Sequence, residues 1–354
     1  MSHPKRIRDY GVKVGKMKTG PNNAITDVKG VTVGHVTLSD GDKQTGVTAI
    51  LPHQGNTFKE KLIASSYIIN GFGKSVGTIQ ITELGTLETP IVLTNTLSIG
   101  TAVDAVFDYM LERNPEIGRT TGTVNPIVCE CNDMMLNDIR ARFVTREHIL
   151  EALHNTSTKV EEGSVGAGRG MLCYSLKGGI GTSSREMELQ HGTYTLGVLV
   201  LTNFGSLGDL TIGGKYIGKE IEALRETVEE KDKGSIIIIV GTDLPVSERQ
   251  LNRIIKRTVT GLSRTGSVIT TGSGEVVIGF STATKIPHDK TVDCITVPII
   301  HEEDIDIAFR AIGEATEEAV LNSLITASKI RGRNGNERPA LKDLLEELNI
   351  DLKK

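Results

Sequence analysis

The sequence contains no Trp, and only 4% of its residues are aromatic. Its 40 Lys and Arg residues are balanced by 44 Asp and Glu residues, which gives a formal net charge of -4. Proteins that bind nucleic acid usually combine a basic surface with aromatic side chains on which bases stack. Both features are missing, so the composition argues against a nucleic-acid partner.

Long apolar segments are missing as well. No run of about 18 apolar residues, the length that a membrane-spanning helix needs, occurs in the chain. The basic N-terminal stretch MSHPKRIRDYGVKVGK is not followed by the apolar segment of a secretory signal. We therefore expect a cytoplasmic protein without a membrane partner.

Cysteine is scarce, with only Cys129, Cys131, Cys173 and Cys294. Four cysteines are too few for a disulfide framework in a chain of this length, which fits a reducing compartment. Cys129 and Cys131 would share one face of a strand, but no second close pair of ligands exists, and the eight His residues show no H-x-x-x-H or H-x-H spacing. The sequence predicts buried free thiols at positions 129 and 131, and neither a metal nor another cofactor.

Glycine, by contrast, is abundant, with 39 residues, many of them in clusters such as GVTVGHVTLSDGDKQTG and SLKGGIGTSSRE. Such clusters predict short strands joined by tight turns. Apolar residues at helical spacing predict three helices, around residues 103–111, 251–262 and 305–319. The predicted strands are 30–38, 46–51, 77–84, 90–95, 126–131, 193–204, 235–242 and 275–280. Sheets flanked by helices indicate the α/β or α+β class, and neither a repeat nor a linker divides the chain.

Three short motifs with chemical potential fit their surroundings poorly. GKSVG at 73–77 matches a nucleophile elbow, but the elbow needs a helix after its Ser and GTIQITEL alternates like a strand; a phosphate loop would need Gly where Ile68 stands. GAGRG at 166–170 lacks the third Gly of a dinucleotide fingerprint, and a tight or mobile loop is favoured. His288 and Asp289 could belong to a Ser/His/Asp triad, although a surface turn explains this pair equally well.

The stretch EEKDKGSIIIIVGTDLPVS at 229–247 offers a different chemistry. A run of charged residues gives way, across Gly234 and Ser235, to a strand-like run of Ile. If the Gly234–Ser235 peptide bond is cut, Ser235 becomes a chain terminus whose α-amine can act as the base for its own hydroxyl. Gly234 suits such a cut because a residue without Cβ leaves its carbonyl group open to attack. A plain entry from a loop into a buried strand is the alternative.

On its motifs, the sequence resembles the self-processing aminopeptidases that comprise L-aminopeptidase D-amidase/D-esterase and the β-peptidyl aminopeptidases (peptidase family S58). The resemblance covers most of the chain and favours the cut over the plain loop. It depends on NAITDVKGVTVGHVTL (23–38), GVTAILPH (46–53), ETPIVLTNTLSIGTAVDA (88–105), NDMMLNDIR (132–140), KGGIGTSSR (177–185), LVLTNFG (199–205), GSIIIIVGTDLP (234–245) and TGSGEVVIGFSTA (271–283).

The resemblance implies roles for particular residues. The family's nucleophile, which follows the cut, falls on Ser235, and its oxyanion-hole Asn falls on Asn203 in LTNFG. The Ser and Glu that complete the hydrogen-bond network fall on Ser273 and Glu275 in GSGE, alternate residues that share one face of a strand. For Asn203 and for the GSGE pair, a simple turn is the competing interpretation.

Two further positions concern the substrate. Met135 stands where the family is expected to carry Tyr near the acyl group, and a Met side chain cannot donate a hydrogen bond. Glu130 is the candidate carboxylate for the free amine of an aminopeptidase substrate.

The resemblance also implies a four-layer αββα sandwich, assembled as a homotetramer. Residues 1–354 would form a single domain made of an α-chain, 1–234, and a β-chain, 235–354. The implied activity is release of N-terminal residues from short peptides, amino-acid amides or esters. Two alternatives remain at this stage: an acyl transferase related to the ornithine acetyltransferases, which use Thr as nucleophile, and an uncleaved binding or scaffold protein.

Overall fold

A computed structural model describes residues 4–225 and 234–353 of the chain. The charged segment expected to precede the cut, up to residue 233, lies almost wholly outside these residues. The described helices are α1 (Thr78–Leu84), α2 (Ile99–Arg113), α3 (Arg146–His154), α4 (Ile217–Arg225), α5 (Glu248–Ile255), α6 (Thr258–Arg264), α7 (Asp306–Ile325) and α8 (Leu341–Glu347). The described strands are β1 (Thr32–Asp40), β2 (Lys43–Leu51), β3 (Glu60–Gly71), β4 (Thr86–Leu87), β5 (Ile91–Asn95), β6 (Ile127–Cys131), β7 (Leu172–Cys173), β8 (Leu176–Lys177), β9 (Gly179–Leu189), β10 (Gly192–Asn203), β11 (Ser235–Thr242), β12 (Gly274–Pro287), β13 (Ile330–Arg331) and β14 (Glu337–Arg338).

Two sheets stacked face to face form the centre of the protein. One has the strand order β1-β2-β5-β6, and the other has the order β4-β3-β12-β11-β10-β9. Apolar side chains from both sheets fill the layer between them. Helices α2 and α3 cover the outer face of the four-stranded sheet, and α5 and α7 cover the outer face of the six-stranded one, with α6 packed against α7. The expected four-layer αββα sandwich is confirmed.

Strand β11 explains the run of Ile in the sequence. Ile236 and Ile238 pack into the layer that contains α7, whereas Ile237 and Ile239 pack into the layer between the sheets. A strand buried on both faces has no polar side to present, so its residues are continuously apolar. Each fully buried Ile stabilises the fold by about 1.5–3 kcal/mol. The strand is therefore firmly anchored in the core from its second residue onward.

The predicted strand at 77–84 is wrong, because residues Thr78–Leu84 form helix α1. Gly77 at φ 100° precedes the helix and Gly85 at φ 65° ends it, so two left-handed glycines enclose a segment too short for its apolar period to be diagnostic. The strand-based objection to a nucleophile elbow at Ser75 is wrong with it. Ser75 instead contacts the thiol of Cys129, whose pKa burial raises to about 12, so this neighbour cannot serve as a base.

The prediction of a turn at the cluster SLKGGIGTSSRE is also wrong, because most of this cluster belongs to the long strand β9. A Cβ on Gly181 would lie 2.0 Å from the backbone oxygen of Ala319 in α7. Glycine is present here because the helix packs directly on the strand, not because the chain turns. The single stripe predicted at 251–262 is likewise divided between α5 and α6.

The remaining expectations about membranes and thiols can be checked directly. In the described part of the chain, no helix combines the length and apolarity that a bilayer crossing requires. Cys129 and Cys131 are free and buried, as predicted. GAGRG forms a tight, buried turn around Gly166–Gly168.

A buried ionic network attaches α7 to the six-stranded sheet. Arg185 of β9 is fully buried, with its guanidinium 3.2 Å from Glu314 and 2.7 Å from Glu318, both on α7. Arg8 contacts Glu318 as well, at 2.6 Å, so the N-terminal segment joins the same network. The charges compensate one another only as a set.

We predict that Arg185→Met destabilises the protein by about 3–5 kcal/mol, because it leaves the buried Glu314 carboxylate without its cation and Glu318 with Arg8 alone. Urea denaturation of the folded protein measures the change. Arg264→Met is the matched control, since Arg264 is half exposed and lies 3.4 Å from Glu317. An exposed pair of this kind contributes about 0–1 kcal/mol. Equal losses in the two variants would contradict the network's structural role.

Candidate active site

Three sequence motifs meet at one end of the six-stranded sheet. Strand β10 ends at Asn203, which is paired with Ser235 at the start of β11. On the other side, Ser235 is paired with Gly274 at the start of β12. The register of three neighbouring strands therefore brings LTNFG, GS and GSGE together, although they are far apart in sequence.

The peptide bond between Gly234 and Ser235 is held in a narrow space. The backbone N–H of Gly274 donates a hydrogen bond to the carbonyl oxygen of Gly234 at 3.2 Å. A Cβ on Gly234 would lie 1.8 Å from the carbonyl oxygen of Asn203. Because backbone atoms cannot move aside cheaply, only glycine fits at position 234. This close fit is a second reason for glycine at position 234, besides the open carbonyl group expected from the sequence, and the Gly274 N–H is a donor aimed at that carbonyl group.

Ser235 is 93% buried, since its relative exposure is 7%. Its hydroxyl group contacts the thiol of Cys131, and this thiol donates a hydrogen bond to the carbonyl oxygen of Leu201 at 3.6 Å. Burial raises the pKa of Cys131 well above its usual value, with the neighbouring Glu130 charge adding to the effect. A thiol that stays protonated cannot remove a proton from Ser235.

A triad that includes His288 is wrong. His288 follows β12, whose 14 residues begin beside Ser235. At about 3.3 Å per residue, the far end of this strand is roughly 40 Å from its start. His288 instead lies 2.9 Å from the hydroxyl group of Thr121.

The side chain of Asn203 is fixed at both ends. Its Oδ1 accepts a hydrogen bond from the backbone N–H of Leu172 at 2.9 Å, and its Nδ2 donates one to the carbonyl oxygen of Asn132 at 3.1 Å. A primary amide has two N–H donors, so these contacts leave one for a substrate. The amide is thus oriented before any substrate arrives, which is what an oxyanion donor requires. Sequence reasoning missed Leu172 and Asn132, because both contribute backbone groups that any residue type possesses.

Ser273 and Glu275 form a buried pair next to Ser235. The hydroxyl group of Ser273 donates a hydrogen bond to Oε1 of Glu275. Asn70 fixes the segment from the neighbouring strand by donating to the carbonyl oxygens of Ser273 and Thr270. The structure confirms that the two side chains share a face, and it leaves Glu275 one residue along β12 from the partner of Ser235.

Glu130 lies at the end of the other sheet, on β6. Its Oε1 accepts a hydrogen bond from the backbone N–H of Lys74 at 3.0 Å, and its Oε2 accepts one from the hydroxyl group of Thr96. Because side chains alternate along a strand, Glu130 and the adjacent Cys131 leave β6 on opposite faces. The carboxylate therefore does not share the space between the sheets where Cys131 meets Ser235.

Met135 is half buried, and its carbonyl oxygen accepts a hydrogen bond from Nδ2 of Asn336 at 2.9 Å. Its side chain has no donor for an oxyanion. Within residues 4–225 and 234–353, no three His, Cys, Asp or Glu side chains cluster closely enough to hold a metal ion.

A sandwich of two sheets and two helical layers, with a buried Ser at the first residue of a central strand, is the architecture of an N-terminal-nucleophile hydrolase. Residues 23–338 match the profile of peptidase family S58, and the chain belongs to this family. It is therefore a hydrolase of the peptidase class.

Individual relatives agree with this family. The β-peptidyl aminopeptidase BapA of Sphingosinicella microcystinivorans is 37% identical to the chain, over 93% of this chain and 88% of that protein. The crystal structure of the PH0078 protein from Pyrococcus horikoshii is 49% identical and superposes with a TM-score of 0.92, covering 98% of both chains. An L-aminopeptidase D-Ala-esterase/amidase from Ochrobactrum anthropi, described as a prototype of the serine aminopeptidases and a variant of the Ntn hydrolase fold, is 33% identical with a TM-score of 0.89, covering 98% of this chain and 99% of that one.

We predict that Asn203→Ala keeps the fold and lowers kcat by about 10²–10³, because removing one oxyanion donor costs about that much. The measurement is hydrolysis of an aminoacyl p-nitroanilide by folded protein whose band pattern on a denaturing gel matches that of the wild type. Asn252→Ala is the control, since Asn252 also uses its amide to hold backbone, at Ser66, but does so on helix α5. Turnover within threefold of wild type for Asn203→Ala would exclude Asn203 as the donor.

Proposed function

We propose that the protein is a serine aminopeptidase that activates itself by cutting the Gly234–Ser235 bond. The product would be a single domain made of an α-chain, 1–234, and a β-chain, 235–354. The observation that carries the proposal is the position of Ser235: it begins a central buried strand, and the carbonyl group before it already accepts a hydrogen bond from Gly274.

The cut begins with attack of the Ser235 hydroxyl oxygen on the carbonyl carbon of Gly234. The N–H of Gly274 stabilises the negative charge that develops on the carbonyl oxygen. The C–N bond then breaks, the hydroxyl proton passes to the departing nitrogen, and an ester joins Gly234 to the Ser235 oxygen. Water hydrolyses this ester, which leaves Gly234 with a carboxylate and Ser235 with a free α-amine.

The released α-amine then serves as the base of the peptidase reaction. An α-amine has a pKa of roughly 7.7–8.0 in model peptides, so about 10–17% of it is unprotonated at pH 7 and about half or more at pH 8. It removes the proton of the Ser235 hydroxyl, which attacks the substrate carbonyl group, while the second N–H of Asn203 binds the oxyanion. Ser273 and Glu275 orient the amine and stabilise its protonated form, and water then releases the acyl group from Ser235.

The substrates that we propose are short peptides, amino-acid amides or esters with a free N-terminal amine. The Sphingosinicella protein is named as a β-peptidyl aminopeptidase and the Ochrobactrum protein as an L-aminopeptidase D-Ala-esterase/amidase, and both names support this class of substrate. Because Glu130 leaves β6 on the face opposite Cys131, we propose that it receives the substrate amine outside the space between the sheets. Met135 is proposed to contact the acyl side without donating a hydrogen bond. The family resemblance also supports a homotetramer of αβ units. A cytoplasmic location with neither a nucleic-acid nor a membrane partner remains our proposal from the composition of the chain.

The two alternatives are less well supported. The ornithine acetyltransferases use Thr as nucleophile, so Ser235 counts against an acyl transferase. An uncleaved scaffold does not explain why the hydroxyl, the Gly234 carbonyl and the Gly274 donor converge at one peptide bond.

We predict that wild-type protein separates into fragments of roughly 25 and 13 kDa on a denaturing gel, since 38.2 kDa divides in proportion to 234 and 120 of 354 residues. The smaller fragment begins with the sequence SIIII. Ser235→Ala removes the attacking oxygen and gives an intact, folded and inactive chain. Ser235→Cys still cleaves, because a thiol can make the same attack. Cleavage at 234/235 or peptide hydrolysis by Ser235→Ala would end the proposal.

The pH dependence tests the base. We predict that kcat/KM rises as Ser235 loses its ammonium proton, near or somewhat below pH 8. A nearby Glu275 carboxylate favours the charged amine and so raises its pKa, and Glu275→Gln should therefore move the rising limb to lower pH. Ser273→Ala, which keeps the carboxylate, is the comparison. If the rising limb of kcat/KM stays at the same pH in Glu275→Gln, the Glu275 carboxylate does not act on the amine.

A further inference from the structure

One buried cation has only backbone partners. Lys177 of β8 is fully buried, and its Nζ donates hydrogen bonds to the carbonyl oxygens of Gly168, Met171 and Gly178 at 2.8, 2.7 and 2.7 Å. This differs from the other large buried cation, Arg185, which lies between two carboxylates. A buried charge without an ion-pair partner is costly, so its retention calls for a physical reason.

The number of acceptors indicates that Lys177 carries its proton. Burial lowers the pKa of Lys177 well below its usual value, because the charged form loses its hydration. Three carbonyl oxygens oppose this, since they match the three N–H donors of an ammonium group. A neutral amine has two donors and would leave one of these oxygens facing its lone pair.

The same peptide unit that accepts from Lys177 also holds the Asn203 side chain. Lys177 binds the carbonyl oxygen of Met171, and the next backbone N–H, that of Leu172, donates to Oδ1 of Asn203 at 2.9 Å. In a trans peptide the C=O and N–H groups point in opposite directions. The hydrogen bonds therefore form one continuous line, from the Lys177 ammonium through the Met171–Leu172 peptide to the Asn203 amide.

The segment that contains this peptide is firmly held. Leu172 is paired with Lys177 in the β7–β8 hairpin, and the backbone N–H of Gly178 donates to Met171 at 3.1 Å. The N–H of Met171 in turn donates to Gly168 at 3.3 Å. All these contacts fix the distance between the ammonium group and the Asn203 amide.

Hydrogen-bonded amides polarise one another, by about 10–30% per bond. A positive charge at Met171 O draws electron density away from the Leu172 N–H, which in turn polarises the Asn203 carbonyl group. The Nδ2 hydrogens of Asn203 thereby become better donors. Because Lys177 stands at the rear of the line and the oxyanion at its front, the effect is largest when negative charge develops on the substrate.

We propose that Lys177 is a positioning residue for the oxyanion donor: its ammonium group orients and polarises the Asn203 amide through the Met171–Leu172 peptide. The inference adds Lys177 to the residues of the proposed function, and it rests on Asn203 acting as the oxyanion donor. It gives the buried charge a use in the reaction rather than in the fold alone.

A kinetic double-mutant cycle tests this coupling. Lys177→Met, Asn203→Ala and the double variant are compared on an aminoacyl p-nitroanilide, with folding checked by thermal denaturation. We expect Lys177→Met alone to lower kcat by about tenfold with little change in KM, since it weakens a contact made mainly in the transition state. In the Asn203→Ala background the same change should lower kcat by less than about twofold.

Each other outcome has a defined meaning. An equal loss of kcat in both backgrounds would overturn the inference and leave Lys177 a structural residue. If Asn203→Ala itself kept wild-type kcat, the proposed oxyanion donor would fail first, so the two failures are distinguishable. Lys61→Met is the matched control: Lys61 is mostly buried and paired with Glu88, at the opposite end of β3 from Gly71, which is paired with Gly274. It should give the same fold-change in both backgrounds.

A second measurement needs no Lys177 variant. In ¹⁵N-labelled wild-type enzyme, the Asn203 side-chain amide resonance is assigned by its loss in Asn203→Ala and followed as the pH rises. It should shift together with deprotonation of the Lys177 ammonium. Arg169, Cys173 and Asp133 are the titratable groups whose charges act on Lys177, and the Ser235 α-amine lies beside Asn203. The shift must therefore follow the Lys177 resonance and not the titration of these groups. If the chemical shift of the Asn203 amide does not change when Lys177 loses its proton, the inference is overturned.

Discussion

The register of three strands is the constraint on which the site depends. Ser235 is paired with Asn203 on one side and with Gly274 on the other, and a shift by one residue would turn every side chain of β11 to the opposite face. The alternating Ile side chains on both faces of β11 make such a shift very costly, since each face is buried in a different apolar layer. The hydrophobic core thus sets the position of a single hydroxyl group.

The polar groups around this hydroxyl are arranged without a side-chain base. The Cys131 thiol that it contacts stays protonated, and the carboxylate of Glu275 is engaged by Ser273. The donors, in contrast, are already in place: the Gly274 N–H at the Gly234 carbonyl group and the Asn203 amide between Leu172 and Asn132. A site rich in fixed donors and poor in bases suits chemistry in which the base is created by the first bond that breaks.

The sequence predicted the features that depend on side-chain pattern. The Ile run of β11, the long stripe of α7 and the shared face of Ser273 and Glu275 follow from periodicity, and the collinear motifs indicated the family. Prediction failed where close packing determines the residue type or where a segment is short. The sequence predicts a turn around Gly181, but this residue lies in a strand under α7. The short segment 77–84 alternates in polarity like a strand, although its last seven residues form a helix. Backbone donors such as the Leu172 N–H could not be found at all, because no residue type encodes them.

The order of strands in the six-stranded sheet has a consequence for a chain cut before Ser235. Strands β11 and β12, which follow the cut, lie side by side in the middle of the sheet, between β3 and β10, which precede it. Each polypeptide would contribute strands that are hydrogen-bonded to the other, and neither would own the complete six-stranded sheet or the apolar layers on its two faces. Such an enzyme is an interlocked pair whose two halves cannot be exchanged between molecules in the native state. The two chains would have to be synthesised, folded and degraded as one unit.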